Sequence, residues 1–306
     1  MTDELDVVTG GGGFIGSHLA EELLARGRRV RVVDNFSTGR RAIVPPGAEL
    51  LEGDVNDVAE EAVRGASVVY HLAALPSVPR SVQQPLECHR ATAEGTAAIL
   101  AAAERAGARR VVIASSSSVY GDTPTLPKHE GMAPRPLSPY AVAKLATEEY
   151  ARSWAEHTRL ETVSLRFFNV YGPRQDPDSP YAAVIPIFLR RLAAGQSMPV
   201  YGDGGQTRDF TFVADVVEGV IRASSAPGIS GRVYNLAGGR PASVLDLGKT
   251  LARLLGKEPE FEFRPSRAGD IRDSFAEVGA ARRDLGFTAA VTLEDGLRRT
   301  LGRSAA

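Results

Sequence analysis

The chain has 306 residues, is 43% hydrophobic, and balances 36 basic against 37 acidic side chains for a net charge of −1. That length supports a large core, as one big domain or two closely apposed ones, and the even charge excludes the basic excess that nucleic acid or an anionic membrane surface would ask for. Cys88 is the single cysteine, so there is no intrachain disulfide and no cysteine-based metal site; Asp3, Glu4 and Asp6 are the wrong sign for a signal peptide, no long apolar span follows, and a soluble cytoplasmic protein with no metal is expected.

Leu5, Val7 and Val8 form a short apolar run, followed by Gly10, Gly11, Gly12 and Gly13 and then Phe14, Ile15 and Gly16. Residues 17–26 read as a helix with Ile15, Leu19, Leu23 and Leu24 on one face. Val30, Val32 and Val33 make a second strand that ends at Asp34. Strand, glycine turn, helix, strand and an acid about 20 residues past the glycines is the pattern of a dinucleotide site. Glycine lets the backbone turn tightly and lets a pyrophosphate come close, and the helix start offers free N–H groups to it. Asp34 can accept from both adenosine ribose hydroxyls, and its charge repels a 2′-phosphate, which favours NAD over NADP. Gly11-Gly13-Gly16 fits GxGxxG and Gly10-Gly13-Gly16 fits GxxGxxG, and the glycines alone leave both open.

Beyond Asp34 a polar loop carries Asn35, Ser37, Thr38, Gly39, Arg40 and Arg41. The two arginines are the one feature favouring a 2′-phosphate and read more simply as solvated loop charges. Leu50 and Leu51 lie in a strand that ends at Gly53-Asp54-Val55, where Asp54 can bond an adenine amino group or cap the next helix. Residues 68–74 are nearly all apolar, as in a strand buried on both faces. Ala73 and Ala74 at its end leave room for a ligand, and His71 within it reads as a satisfied core histidine. An alanine-rich helix over 85–107 is ended by Gly107. The strand 110–114 runs into Ser115, Ser116, Ser117 and Ser118. Ser138 and Pro139 are an N-cap and first helical residue, and the helix they open places Tyr140 and Lys144 on one face.

The next strand, 162–168, includes Phe167. A proline-rich loop from Asn169 follows, then a helix over 182–194 and a strand over 199–201. A helix from 214, a strand over 233–235, a helix over 244–255, a strand over 261–264 and two short helices complete the chain. The βαβ series followed by shorter mixed elements predicts a doubly wound α/β parallel sheet of Rossmann type with a smaller mixed C-terminal part. Residues 1–168 are expected to bind NAD, with about 210–236 returning to that unit, and 169–306 to hold the substrate.

Ser116, Tyr140 and Lys144 form a second constellation. A free tyrosine has a pKa of roughly 10 and is a poor base at neutral pH. A lysine ammonium and a cationic nicotinamide ring would both favour the phenolate, so Tyr140 would exchange a proton with a substrate hydroxyl while Ser116 holds the same oxygen.

Together these residues resemble the extended short-chain dehydrogenase/reductase family, in its branch of nucleotide-sugar 4-epimerases of the UDP-glucose and UDP-N-acetylglucosamine type. TGGGGFIGSHL from Thr9, Asp34-Asn35, Gly53-Asp54-Val55, His71-Leu72-Ala73-Ala74, the serines before Val119-Tyr120-Gly121, and Tyr140-xxx-Lys144 fall in family order. The resemblance selects Gly10, Gly13 and Gly16, with Phe14 and Ile15 between them, and it selects Ser116 among the serines. It implies NAD contacts from Asp34, Asn35, Ser37, Thr38, Gly39, Asp54, Val55, Leu72, Ala73, Ala74, Phe167, Tyr140 and Lys144, and from Thr92, which stands where the family usually has asparagine. It implies substrate contacts from Ser116, Ser117, Ser118, Tyr140, Asn169, Val184, Val200, Tyr201, Arg208, Arg267 and Asp270. Tyr201 would stack on uracil, Arg208 and Arg267 would pair with phosphates, and Asp270 would take a ribose hydroxyl.

The implied activity is 4-epimerisation of a UDP-hexose through a transient 4-keto sugar. A 4,6-dehydratase or a UDP-glucuronate epimerase or decarboxylase is the alternative, but the acid such relatives carry before the Val-Tyr-Gly segment is replaced by Ser117 and Ser118. A non-catalytic NAD-binding sensor would not need Ser116, Tyr140 and Lys144. Ser274 stands where relatives that reject N-acetylated sugars place a bulky tyrosine, which implies room for an acetamido group. Family practice further implies a homodimer through the helix after Pro85 and the helix of Tyr140.

Overall fold

Runs of valine separated by glycine turns become strands here because both sheet faces are covered. In the computed structural model, which describes residues 4–176, 183–266 and 271–304, the first elements are β1 (Leu5–Thr9), α1 (Phe14–Ala25), β2 (Arg29–Asp34), β3 (Glu49–Glu52), α2 (Val55–Ala62) and β4 (Ala66–His71). Next come α3 (Val78–Gln83), α4 (Pro85–His89), α5 (Gly95–Arg105), β5 (Arg110–Ser116), α6 (Pro139–His157) and β6 (Glu161–Phe167). They are followed by β7 (Val170–Tyr171), α7 (Val184–Ala193), β8 (Met198–Tyr201), β9 (Thr207–Asp209), β10 (Thr211–Phe212), α8 (Val213–Ala223) and β11 (Arg232–Leu236). The last are β12 (Pro241–Ser243), α9 (Val244–Leu254), β13 (Phe261–Arg264), β14 (Asp273–Ser274), α10 (Gly279–Leu285) and α11 (Leu293–Ser304).

The main sheet has seven strands in the order β3-β2-β1-β4-β5-β6-β11, and every pairing is parallel. This is the predicted doubly wound, Rossmann-type sheet, and its strand order reverses between β1 and β4, the switch point where such sheets open a crevice. Alternate strand residues feed two cores. Val8, Val32, Val68 and Val112 pack with Leu19 and Leu23 of α1. Val7, Val33, Val69 and Val111 pack with Ile99 and Leu100 of α5. A fully buried side chain of this size contributes about 1.5–3 kcal/mol relative to exposure. The smaller sheets are β12-β9-β14, β13-β8 and β10-β7. Among the described residues no helix is long and apolar enough to cross a membrane.

Two local readings change. Helix α1 begins at Phe14 and not at 17, because Gly13 is its N-cap and its carbonyl already accepts from Ser17 N–H at 3.0 Å. The helix expected over 85–107 is α4 and α5 joined by a π-helical turn, Arg90–Glu94. Asp54 caps α2, accepting from Asn56 N–H at 3.0 Å and from Asn35 Nδ2 at 3.0 Å. His71 is a core residue with both ring nitrogens satisfied. Thr9 Oγ1 lies 2.8 Å from Nδ1 and Thr96 Oγ1 lies 3.1 Å from Nε2. Thr9 Oγ1 accepts from Ala73 N–H and Thr96 Oγ1 donates to the Thr92 carbonyl, so the proton sits on Nε2. Burial holds this ring neutral, pushing its pKa down to about 3.

Candidate active site

The loops at the carboxyl ends of β1, β2, β4 and β5 enclose a cavity of about 560 Å³. Its floor is the glycine turn. Gly10 has φ +71°, and a Cβ there would lie 2.8 Å from Ala73 N, so only glycine lets the end of β4 close on the turn. Gly13 N–H donates to the Gly10 carbonyl at 3.0 Å, and Gly16 packs on that same carbonyl. Gly13 caps α1 without a side chain, which leaves the first-turn N–H groups free to meet an anion. The cradle therefore fits a dinucleotide pyrophosphate.

Asp34 closes the adenosine end. Its carboxylate accepts from Gly12 N–H and Phe36 N–H, each at 2.8 Å. Burial raises its pKa and the two backbone donors oppose the rise. Each oxygen keeps a second lone pair for a ribose hydroxyl. Arg41 pairs with Glu52 and lies over the Phe36 ring, 4.8 Å from its centroid. Arg40 lines the cavity and donates to the Arg174 carbonyl at 3.1 Å.

At the other end, α6 delivers Tyr140 and Lys144. Ser138 caps this helix by accepting from Ala141 N–H at 3.2 Å, with Pro139 in its first turn. That cap places Tyr140 at the cavity wall and Lys144 one turn deeper. Lys144 Nζ donates to the Ala114 carbonyl at 2.7 Å. Burial pulls its pKa down to about 8, against the opposing influence of Cys88 and Glu148. Burial pushes Tyr140 up to about 12, while a hydrogen bond with Ser116 pulls the other way. Among the protein groups burial is the largest influence on Tyr140, and a cationic nicotinamide ring, with NAD bound, would favour the phenolate.

Residues 7–237 match the NAD dependent epimerase/dehydratase family. The chain belongs to that family. A UDP-glucose 4-epimerase from Mycolicibacterium smegmatis is 38% identical over 306 residues, covering 96% of this chain and 96% of the relative. A UDP-N-acetylglucosamine 4-epimerase from Methanobrevibacter ruminantium M1, solved with UDP-N-acetylmuramic acid, superposes with a TM-score of 0.95 at 34% identity, covering 100% of this chain and 99% of that one. The UDP-glucose 4-epimerase of Thermotoga maritima, solved with UDP-glucose, gives 0.94 at 34% identity, with 98% of each chain covered.

For a member of this NAD-dependent family the cofactor half of the cavity is nearly complete. Every residue that the resemblance assigned to NAD lines it except Gly39 and Thr92. Gly39 instead backs Asp34, where a Cβ would lie 2.8 Å from Oδ1. Thr92 sits in the π-helical turn, fully buried, and its hydroxyl accepts from Leu75 N–H at 3.4 Å. It shapes the loop after β4 without reaching the cavity. With Asp34 in place and Arg41 committed to Glu52, calorimetry is expected to show NAD binding at least ~10-fold more tightly than NADP, a difference of about 1.4 kcal/mol. Equal affinities would transfer the assignment to Arg40.

The substrate half differs more. Ser116, Tyr140 and Asn169 line the cavity. Asn169 has φ +26°, a conformation asparagine tolerates better than most residues. Ser117 and Ser118 lie in the 3₁₀ turn Ser117–Tyr120 and do not line the cavity. Val184, Val200, Tyr201, Arg208 and Ser274 also lie outside its lining. Val200 is fully buried in the core. Tyr201 is paired with Arg264, whose guanidinium lies 5.9 Å from the ring centroid. Arg208 donates to the Thr207 and Arg272 carbonyls. Ser274 is buried in β14, in register with Arg208. Arg267 and Asp270 lie outside the described residues. Sequence reasoning missed Arg80, Arg174 and Gln175, which do line the cavity. Arg174 holds φ +72° and bonds Ser17 Oγ at 3.3 Å and Glu21 at 2.5 Å, tying the loop after β7 to α1.

Proposed function

We propose that this chain is an NAD-dependent 4-epimerase of UDP-hexoses, acting on UDP-glucose and UDP-galactose and on their N-acetyl counterparts. The observation that carries the reading is that Ser116, Tyr140 and Lys144 open into the same cavity as the glycine cradle. Tyr140 exchanges the proton of the sugar 4-hydroxyl, and Ser116 holds that oxygen through the exchange. Lys144, anchored on the Ala114 carbonyl, keeps a positive charge beside the reacting end of the cavity. The cofactor, when bound, supplies the reversible removal of hydrogen from C4. Asn169 is placed to meet the diphosphate. A dehydratase needs an acid to eliminate water from the sugar, and the turn after Ser116 offers only Ser117 and Ser118. Relatives named for UDP-glucose and for UDP-N-acetylglucosamine both match over the full fold, which supports including both sugar types.

Val82 and Leu86 on α3 and α4 and Val142 on α6 are apolar and exposed, Leu86 by 84%. These helices adjoin one another, and their apolar surface supports a homodimer as part of the proposal. The test is incubation of the purified protein with UDP-glucose or UDP-N-acetylglucosamine, with its mass in solution measured by light scattering. The expected products are the galacto epimers, from a dimer. A 4-keto-6-deoxy sugar or no turnover would overturn the activity, and a monomeric mass would overturn the dimer.

A further inference from the structure

Glu148 and Arg166 form a buried ion pair, each only 3% exposed, and neither lines the cavity. Ser115, Arg166 and Asn235 stand in one row across β5, β6 and β11, because Ser115 pairs in register with Arg166 and Arg166 with Asn235. Glu148 comes down on this row from α6. One carboxylate oxygen accepts from the Ser115 hydroxyl and from Arg166 Nε at 2.9 Å, and the other accepts from Arg166 Nη2 at 2.7 Å. The Arg166 guanidinium lies over the Tyr120 ring, 4.6 Å from its centroid, and the Tyr120 hydroxyl donates to Asn235 Oδ1 at 2.7 Å. Asn235 Nδ2 donates to the Lys128 carbonyl at 3.0 Å. The row therefore runs from the catalytic strand to the loop that precedes α6.

The same end of β5 carries the catalytic contacts. The Ala114 carbonyl accepts from Lys144, and Ser116 lines the cavity with Tyr140, close enough to favour its phenolate. Three successive strand residues are thus tied to Lys144, Glu148 and Tyr140, which are spaced by one helical turn along α6. β5 ends at Ser116, and strand ends open most readily when nothing but the ladder holds them. A buried ion pair serving stability alone could be exchanged for apolar packing, yet apolar packing would leave the Ser115 hydroxyl without its acceptor.

We propose that Glu148 is a positioning residue for the reaction: its bridge to Ser115 and Arg166 holds the end of β5 where Ser116 meets Tyr140 and the Ala114 carbonyl meets Lys144. The titratable groups around Lys144 are Cys88 from α4, neutral His71 from β4, and Tyr140 and Glu148 on its own helix. Glu148 contributes a negative charge that favours the ammonium, with Arg166 on its far side balancing it.

The inference rests on the epimerase reading for its rate assay only. Two variants test it. Ser115→Ala removes one arm of the bridge while leaving the ion pair in place. It is expected to lower kcat about tenfold, as small misplacements of reacting groups do. KM for UDP-glucose should stay within about twofold, since Ser115 lines the cavity but its lost hydroxyl is the one bonded to Glu148. The Tyr140 ionisation, followed by tyrosinate absorbance of the NAD complex with Tyr140→Phe as blank, should move to higher pH. The cause is the weakened Ser116 hydrogen bond, which favours the phenolate. Glu148→Gln removes the charge, and the alkaline limb of its kcat profile should move to lower pH as the Lys144 ammonium loses support. It also strands the Arg166 cation, so where its fold is lost Ser115→Ala decides alone. Native kcat and an unmoved Tyr140 titration in Ser115→Ala would overturn the proposal. If the native protein does not turn over UDP-glucose, the epimerase reading fails, and the titration still decides the role of Glu148.

Discussion

Tyr140→Phe is expected to lower kcat by at least the ~10²-fold typical of a lost general acid–base group, with NAD and nucleotide-sugar binding retained. Phenylalanine fills the same space, packed on Leu75, Cys88 and Ala143, and Lys144 keeps its bond to the Ala114 carbonyl, so the wall of the cavity stands. What disappears is the hydroxyl that exchanges the proton of the sugar hydroxyl beside Ser116 in the proposed reaction. Ser116→Ala should do less harm, because Tyr140 and Lys144 remain. The native pH profile carries a matching sign. Lys144, pulled down to about 8 by burial, is an ammonium below that pH and loses its charge as pH rises through it. The rate should therefore fall on the alkaline side from about pH 8. Steady-state kinetics across pH for the native protein and both variants checks this. Near-native turnover in Tyr140→Phe would remove tyrosine from the mechanism.

What was legible in the sequence is what the chain decides locally. The valine runs specify strands buried on two faces, the glycines specify a turn on which no Cβ fits, and Ser138 with Pro139 marks a helix start. Each of these signals spans a few residues and needs no partner from afar. Asp34 was legible because its position at a strand end follows from the same local pattern. The Glu148 bridge was not, since its partners Ser115 and Arg166 come from two other strands and only the sheet register brings them into one row. Nor was Arg174, whose bond to Glu21 joins residues 153 apart in the chain. Thr92 sits buried in a π-helical turn that the alanine-rich pattern over 85–107 does not reveal. Helical spacing puts Tyr140 and Lys144 on one face, but it does not reveal the burial that pushes the tyrosine up and pulls the lysine down.

Gly16→Ala is the substitution expected to do most damage at the cofactor end. A Cβ on Gly16 would lie 2.2 Å from the Gly10 carbonyl oxygen and 2.9 Å from Gly11 Cα. Both are backbone atoms, so no side chain can swing aside. Nor can Gly10 retreat, for its N–H donates to the Val33 carbonyl at 2.8 Å and its Cα faces Ala73. The start of α1 has to lift from the turn, and forced overpacking of this kind costs about 1–3 kcal/mol. The same displacement draws the first-turn N–H groups away from the pyrophosphate. NAD affinity should therefore fall at least ~10-fold, equivalent to about 1.4 kcal/mol, beyond the loss of Tm. Gly27→Ala separates the two effects. Gly27 also has a positive φ, +75°, but a Cβ there meets nothing within 4 Å. Its cost is backbone strain alone, about 1 kcal/mol, and its NAD affinity should be native. Calorimetric titration of NAD into both variants, with their thermal unfolding measured alongside, decides the point. Native NAD affinity in Gly16→Ala would mean that the close packing of α1 on the Gly10 carbonyl is not what holds the cradle in shape.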